Sequence, residues 1–88
     1  MTTKNLSGKR VKIVRVAQDM KQSDLCAALS VDFDFEMSQT ALSDIERGRR
    51  SISDVELDLF AKVLDVSPMW LLYGDDQPKF STTPLKGK

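Results

Sequence analysis

Four side chains that offer hydrogen bonds, Gln39, Thr40, Ser43 and Asp44, recur at helical spacing. Three arginines, Arg47, Arg49 and Arg50, crowd around Gly48 just after them. Residues three and four apart share one helix face, so the first group forms a polar stripe. Glutamine bonds an adenine edge bidentately, threonine meets a thymine methyl, and aspartate accepts from a cytosine amino group. Guanidinium groups suit phosphate oxygens. The chemistry on offer is therefore non-covalent: base edges in a duplex groove and phosphates beside it. A merely solvated helix face would carry the same four polar residues. The arginines sit where a short helix would emerge from a groove, and they tip the reading toward nucleic acid.

Other chemistries are poorly supplied. The chain has no histidine and a single cysteine, Cys26. A zinc site is not expected, and the usual bases for nucleophilic catalysis are missing. No enzymatic activity, metal or cofactor is expected. Cys26 lies in the apolar run Leu25-Cys26-Ala27-Ala28-Leu29, which predicts a buried, inert thiol.

The elements that must position the stripe are helical almost throughout. Ser38 is a candidate N-cap, with Met37 placed to staple onto Leu42, so the polar stripe belongs to a helix over 38–47. A first helix spans 6–19 with Val11, Val14 and Met20 inward; Ile13 and Val16 either thicken the core or mark a partner surface. A second runs from about Gln22 to Ser30 with Leu25, Ala28 and Leu29 inward. Residues 31–37 then alternate apolar and acidic, a pattern that fits a short extended segment or an irregular helical turn. Ser53-Asp54-Val55-Glu56 is a capping box whose helix carries Leu57, Phe60, Ala61 and Leu64 at core spacing. Ser67-Pro68 opens a last helix that ends at Gly74. Five short helices over 6–74 make an all-α fold, one small domain over 1–74. Residues 75–88, with two prolines and Phe80 as the one anchor, read as a flexible tail.

The formal net charge of the 88 residues is zero, but the charges are segregated. Lys4, Lys9, Arg10, Lys12, Arg15 and Lys21 dominate the first quarter, every charge from Asp24 to Glu46 is negative, and the arginine cluster follows. Neutrality of this kind does not exclude a DNA partner. No apolar run is long enough for a membrane, and the amino terminus lacks a signal-peptide layout. The cytoplasm is the default compartment.

The order of these pieces resembles the lambda-repressor-like, Cro/Xre-type helix-turn-helix family over about residues 8–74. The carriers are Gly8-Lys9-Arg10-Val11, Arg15, Gln22-Ser23-Asp24-Leu25, Leu42 through Arg50, Asp54-Val55-Glu56-Leu57, Ala61 through Ser67, and Trp70-Leu71-Leu72. The resemblance implies a compact five-helix domain in which helix two crosses the DNA backbone and helix three enters the major groove. It places Ser38, Gln39, Thr40 and Asp44 at bases and nearby phosphates, with Ser43 beside them, and Gln22 at a phosphate. Arg47, Arg49 and Arg50 fall on the loop that grips the backbone. Arg15 and Glu46 match a partly buried ion pair tying helix one to the end of helix three.

Three features depart from the family pattern. The segment between helices two and three is about six residues longer than the usual tight turn, and it carries Asp32, Asp34 and Glu36. Those carboxylates must face away from phosphates. Lys21 stands where a Ser or Thr cap is usual, which forgoes about 1 kcal/mol. Asp44 puts a negative charge on the reading face. The expected function is a sequence-specific, repressor-like transcriptional regulator that binds double-stranded DNA as a homodimer through the region of Trp70, Leu71, Leu72 and Tyr73. The alternative is a protein-interaction module on the same fold, antitoxin- or antirepressor-like, with its partner at 32–37.

Overall fold

The computed structural model describes residues 6–74, which form α1 (Leu6–Ala17), α2 (Gln22–Phe33), α3 (Gln39–Glu46), α4 (Asp54–Leu64) and α5 (Pro68–Tyr73). The fold is all-α. The tail expected at 75–88, its anchor Phe80 and the cation Lys4 lie outside the described residues.

The starts of the helices follow the caps. Ser38 Oγ accepts from the Ala41 N–H at 3.0 Å. Ser53 and Glu56 complete a reciprocal box at 3.1 and 3.0 Å. Ser67 Oγ accepts from Met69 and Trp70, with Pro68 in the first turn. Lysine offers no acceptor at the start of α2. There, Asp24 reaches back to the Lys21 N–H at 2.8 Å and supplies one half of a box.

The ends follow a less visible rule. Asp19, Asp34 and Asp65 all adopt the left-handed conformation, at φ 61, 55 and 59 degrees. Aspartate tolerates this region better than most side chains. Beyond α1, Met20 N–H reaches Arg15 O and Asp19 N–H reaches Val16 O, which satisfies the last carbonyls. That turn stops α1 at Ala17 instead of 19. Asp34 plays the same part for α2, which runs three residues past the expected Ser30. Residues 31–33 are thus a final helical turn, and no strand forms there. After Asp34 the chain turns in, and Phe35 and Met37 pack against the core.

The core is built from Val11 and Val14 of α1, Leu25 and Leu29 of α2, Leu42 and Ile45 of α3, Phe60, Ala61 and Leu64 of α4, and Leu71 of α5. Burying a leucine or isoleucine completely contributes roughly 1.5–3 kcal/mol, so Leu42 and Ile45 hold α3 firmly. Ile13 and Val16 stay out of this core, at 59% and 57% exposed. Leu71 is fully buried, which corrects its place in the expected dimer surface; Leu72 and Tyr73 stand exposed, and Trp70 is half-buried against the core. Ala28, expected to face inward, is half-buried. Cys26 is half-buried too, and burial with Glu46 nearby pushes its thiol pKa up.

Helix α1 and the turn just after it also close other helices. Gln18 Nε2 donates to Leu64 O at the end of α4 (2.7 Å). Arg10 donates to Leu71 O and Leu72 O at the end of α5 (3.1 and 2.9 Å). Against α3 the approach is closer still. A Cβ on Gly8 would collide with the Ile45 carbonyl oxygen, so only glycine fits where the two backbones meet.

Candidate nucleic-acid interface

α3 is short because its end is dictated. Gly48 takes φ 80 degrees. Its N–H donates to Ile45 O at 3.0 Å, and the Arg49 N–H donates to Asp44 O at 2.8 Å. These two bonds are the Schellman pair. They turn the chain out of α3 and set Arg47 and Arg49 on the surface, both exposed.

A groove of about 290 Å³ opens on this side, lined by Gln22, Gln39, Thr40, Ser43, Asp44 and Arg47. One side chain comes from the start of α2 and four from α3, with Arg47 at the exit. Gln39 and Thr40 are exposed, and Ser43 and Asp44 half-buried. Glutamine, threonine and serine present both donors and acceptors here; Asp44 adds an acceptor and Arg47 a cation.

Behind the groove sits Glu46, 5% exposed. It accepts from Arg15 Nε at 2.7 Å, Arg15 Nη2 at 2.9 Å and Gln22 Nε2 at 3.0 Å. Arg15, 8% exposed, spends its third donor on Met20 O at 2.7 Å. The bond to Glu46 raises the Arg15 pKa against the opposing effect of desolvation. One carboxylate thus ties α1, the start of α2 and the end of α3 together.

The remaining sequence-predicted residues are placed differently. Ser38 does not line the groove, and its hydroxyl is given to the N-cap. Gln22 does line it, and its amide NH2 gives one of its two hydrogens to Glu46. Arg50 lies apart from Arg47 and Arg49 in its bonding: its guanidinium grips Glu56 at 3.0 and 2.7 Å. That pair pulls the Glu56 carboxyl below the usual carboxylate range, helped by Ser53. Glu56 was legible only as a capping residue; its second role joins the loop after α3 to the start of α4.

Asp32, Asp34 and Glu36 are exposed, and none lines the groove. Asp32 is ten residues along α2 from Gln22, about 15 Å at the helical rise. Glu36 is further engaged by Ser30 Oγ at 3.0 Å. Among the described residues no cluster of His, Cys, Asp and Glu could hold a metal ion, and no helix is long and apolar enough to cross a membrane.

A family model described as Helix-turn-helix matches residues 11–71. The HTH-type transcriptional regulator DicA of Escherichia coli (strain K12) is 34% identical over 87 residues, which cover 98% of this chain and 59% of that protein. The chain thus spans less than two thirds of the length of this curated relative. No solved structure matches it.

Proposed function

Because the chain belongs to the helix-turn-helix family, of the Cro/Xre type that its sequence resembles, we propose that it is a sequence-specific DNA-binding transcriptional regulator. α3 enters the major groove of double-stranded DNA, and α2 lies across the backbone. The observation that carries this reading is the groove shared by Gln22, Gln39, Thr40, Ser43, Asp44 and Arg47. In it, Gln39, Thr40 and Asp44 meet base edges, with Ser43 beside them. Ser38 and Gln22 sit at flanking phosphates, Gln22 in an orientation set by Glu46. Arg47 and Arg49 hold the backbone beyond the helix. Arg50 acts first through Glu56, keeping the loop in place for its two neighbours.

One reading helix contacts few bases, and symmetry doubles them. The active form is a homodimer on a near-palindromic site, with exposed Leu72 and Tyr73 at the end of α5 as its supports. The name of DicA agrees with a regulatory role. A second reading, a protein contact at 32–37, is favoured by one observation: Val31, just before that segment, stands 81% exposed beside carboxylates that do not line the groove.

Binding to duplex DNA across a salt series separates the two. A DNA regulator loses affinity log-linearly with salt, and selection from random duplexes returns a defined site. Weak binding that ignores both salt and the state of Arg47 and Arg49 would refute the proposal.

A further inference from the structure

α1 carries the cations Lys9, Arg10, Lys12 and Arg15 and no acid. Its two arginines are spent inside the molecule, Arg10 on Leu71 O and Leu72 O and Arg15 on Glu46 and Met20 O. Its two lysines are not: the ion pairs among the described residues are Arg15–Glu46, Arg50–Glu56 and Lys62–Asp58. Lys9, Lys12, Ile13 and Val16 stand at i, i+3, i+4 and i+7, the spacing of one helix face. All four are exposed, Ile13 by 59% and Val16 by 57%. The buried residues of α1, Ser7, Gly8, Val11, Val14 and Arg15, occupy the opposite side. Through that side α1 meets α3 at Gly8 and Arg15 and joins the core at Val11 and Val14. The outer face therefore looks away from the body of the domain, and none of its residues lines the groove beside α3.

A single exposed aliphatic residue is ordinary. Here two share a face with two unpaired ammonium groups, in a ridge about 10 Å long. Phosphates would satisfy the lysines and leave the aliphatic half in water. We propose that the outer face of α1 docks a helical segment of a partner protein whose own face carries aliphatic side chains bordered by carboxylates. A row at i, i+3, i+4 and i+7 is what a second helix packs against. Aliphatic side chains meet Ile13 and Val16, while the carboxylates meet Lys9 and Lys12 and set the polarity of the contact. A lipid surface fits less well: the face has no aromatic anchor, and two lysines are few for an anionic leaflet. With two apolar side chains, the patch falls well short of the roughly 800 Å² per partner of a stable interface, so the contact is transient. Docking there leaves α3 and its groove open.

The test titrates the 88-residue chain with a synthetic helical peptide that carries leucines and glutamates on one face. Amide resonances of 9–16 shift most, and added salt weakens the binding. The pair Lys9→Glu, Lys12→Glu weakens it at least about tenfold, and this variant instead takes the peptide in which lysines replace the glutamates. The pair Ile13→Ser, Val16→Ser weakens binding of the acidic peptide to a similar degree. All four positions are exposed, so a folding defect is not the expected result, and a folding defect would not be repaired by exchanging the peptide. Equal binding of a peptide with serines for leucines, shifts centred on 47–49, or unchanged affinity in either double variant would overturn the proposal. So would two results with Lys9→Glu, Lys12→Glu: a lower salt slope of DNA binding, which makes the lysines phosphate contacts, or lost binding to phosphatidylserine vesicles, which makes the face a lipid surface.

Discussion

Removing Arg15 should damage this protein chiefly by what it leaves behind. In Arg15→Met the Glu46 carboxylate, 5% exposed, keeps only the Gln22 amide of its three donors. Stranding a buried charge costs about 3–5 kcal/mol, and the lost bond to Met20 O adds about 1. A domain of this size is stable by only about 4–10 kcal/mol. Arg15→Met therefore lowers the melting temperature by roughly 12 °C or more. In the double variant with Glu46→Leu the stranded charge is gone. The bond to Met20 O is still missing, and Gln22, half-buried, turns to water. The double variant should be more stable than Arg15→Met by about 2 kcal/mol or more. Urea denaturation with linear extrapolation measures all three proteins on one scale. Equal instability of the single and double variants would refute the reasoning, since the cost would then lie in lost contacts and not in an unpaired charge.

Gly8→Ala gains helix propensity of up to about 1 kcal/mol but drives a Cβ into the Ile45 carbonyl. The net effect is a loss of stability and, since α3 must shift, a loss of DNA affinity larger than the stability change explains; paired denaturation and binding titrations check it. Glu56 has a folded pKa below its ordinary value, so its contribution is present above the unfolded pKa and is lost as pH falls through the folded one. The stability gap between the parent and Glu56→Gln should narrow as pH falls below the ordinary glutamate value of 4.5 and on through the depressed folded one, and stay modest because Arg50 is 41% exposed on its side chain. Arg49→Ala should reduce the salt slope of DNA binding by about one while leaving site preference intact. Gln39→Ala should do the reverse, relaxing preference at one base pair by about 1–3 kcal/mol with the slope unchanged.

Helix starts were readable along the chain because Ser38, Ser53 and Ser67 announce themselves chemically. The ends of α3, α4 and α5 were readable too, from Gly48, the last core leucine Leu64 and Gly74; those of α1 and α2 were not, since they close on Asp19 and Asp34 in a conformation usually signalled by glycine. Asp34 is the instructive case. It lies inside an alternating pattern that fits a short extended segment or an irregular helical turn; the helical turn is what forms over 31–33, and only Phe35 and Met37 beyond it turn inward. The polar stripe of α3 was legible because its period is that of the helix. The partners behind it were less so. Gln22 meets Glu46 from 24 residues away, and Arg50 finds Glu56 six residues on, across a loop; neither separation carries a periodic signature. The Arg15–Glu46 pair came from the family resemblance and not from spacing.

The hydrogen bonds that Gln18, just past α1, makes to the end of α4 and that Arg10 of α1 makes to the end of α5 have a consequence for how the molecule opens. They join residues 46, 61 and 62 positions apart. A six-residue helix such as α5 has little persistence of its own. Its last carbonyls are held by a side chain from the other end of the described chain, so α5 cannot unwind without either abandoning those bonds or lifting α1. The first and last helices thus belong to one cooperative unfolding unit, and amide protons in α5 exchange on the clock of α1 instead of fraying as a terminal turn would.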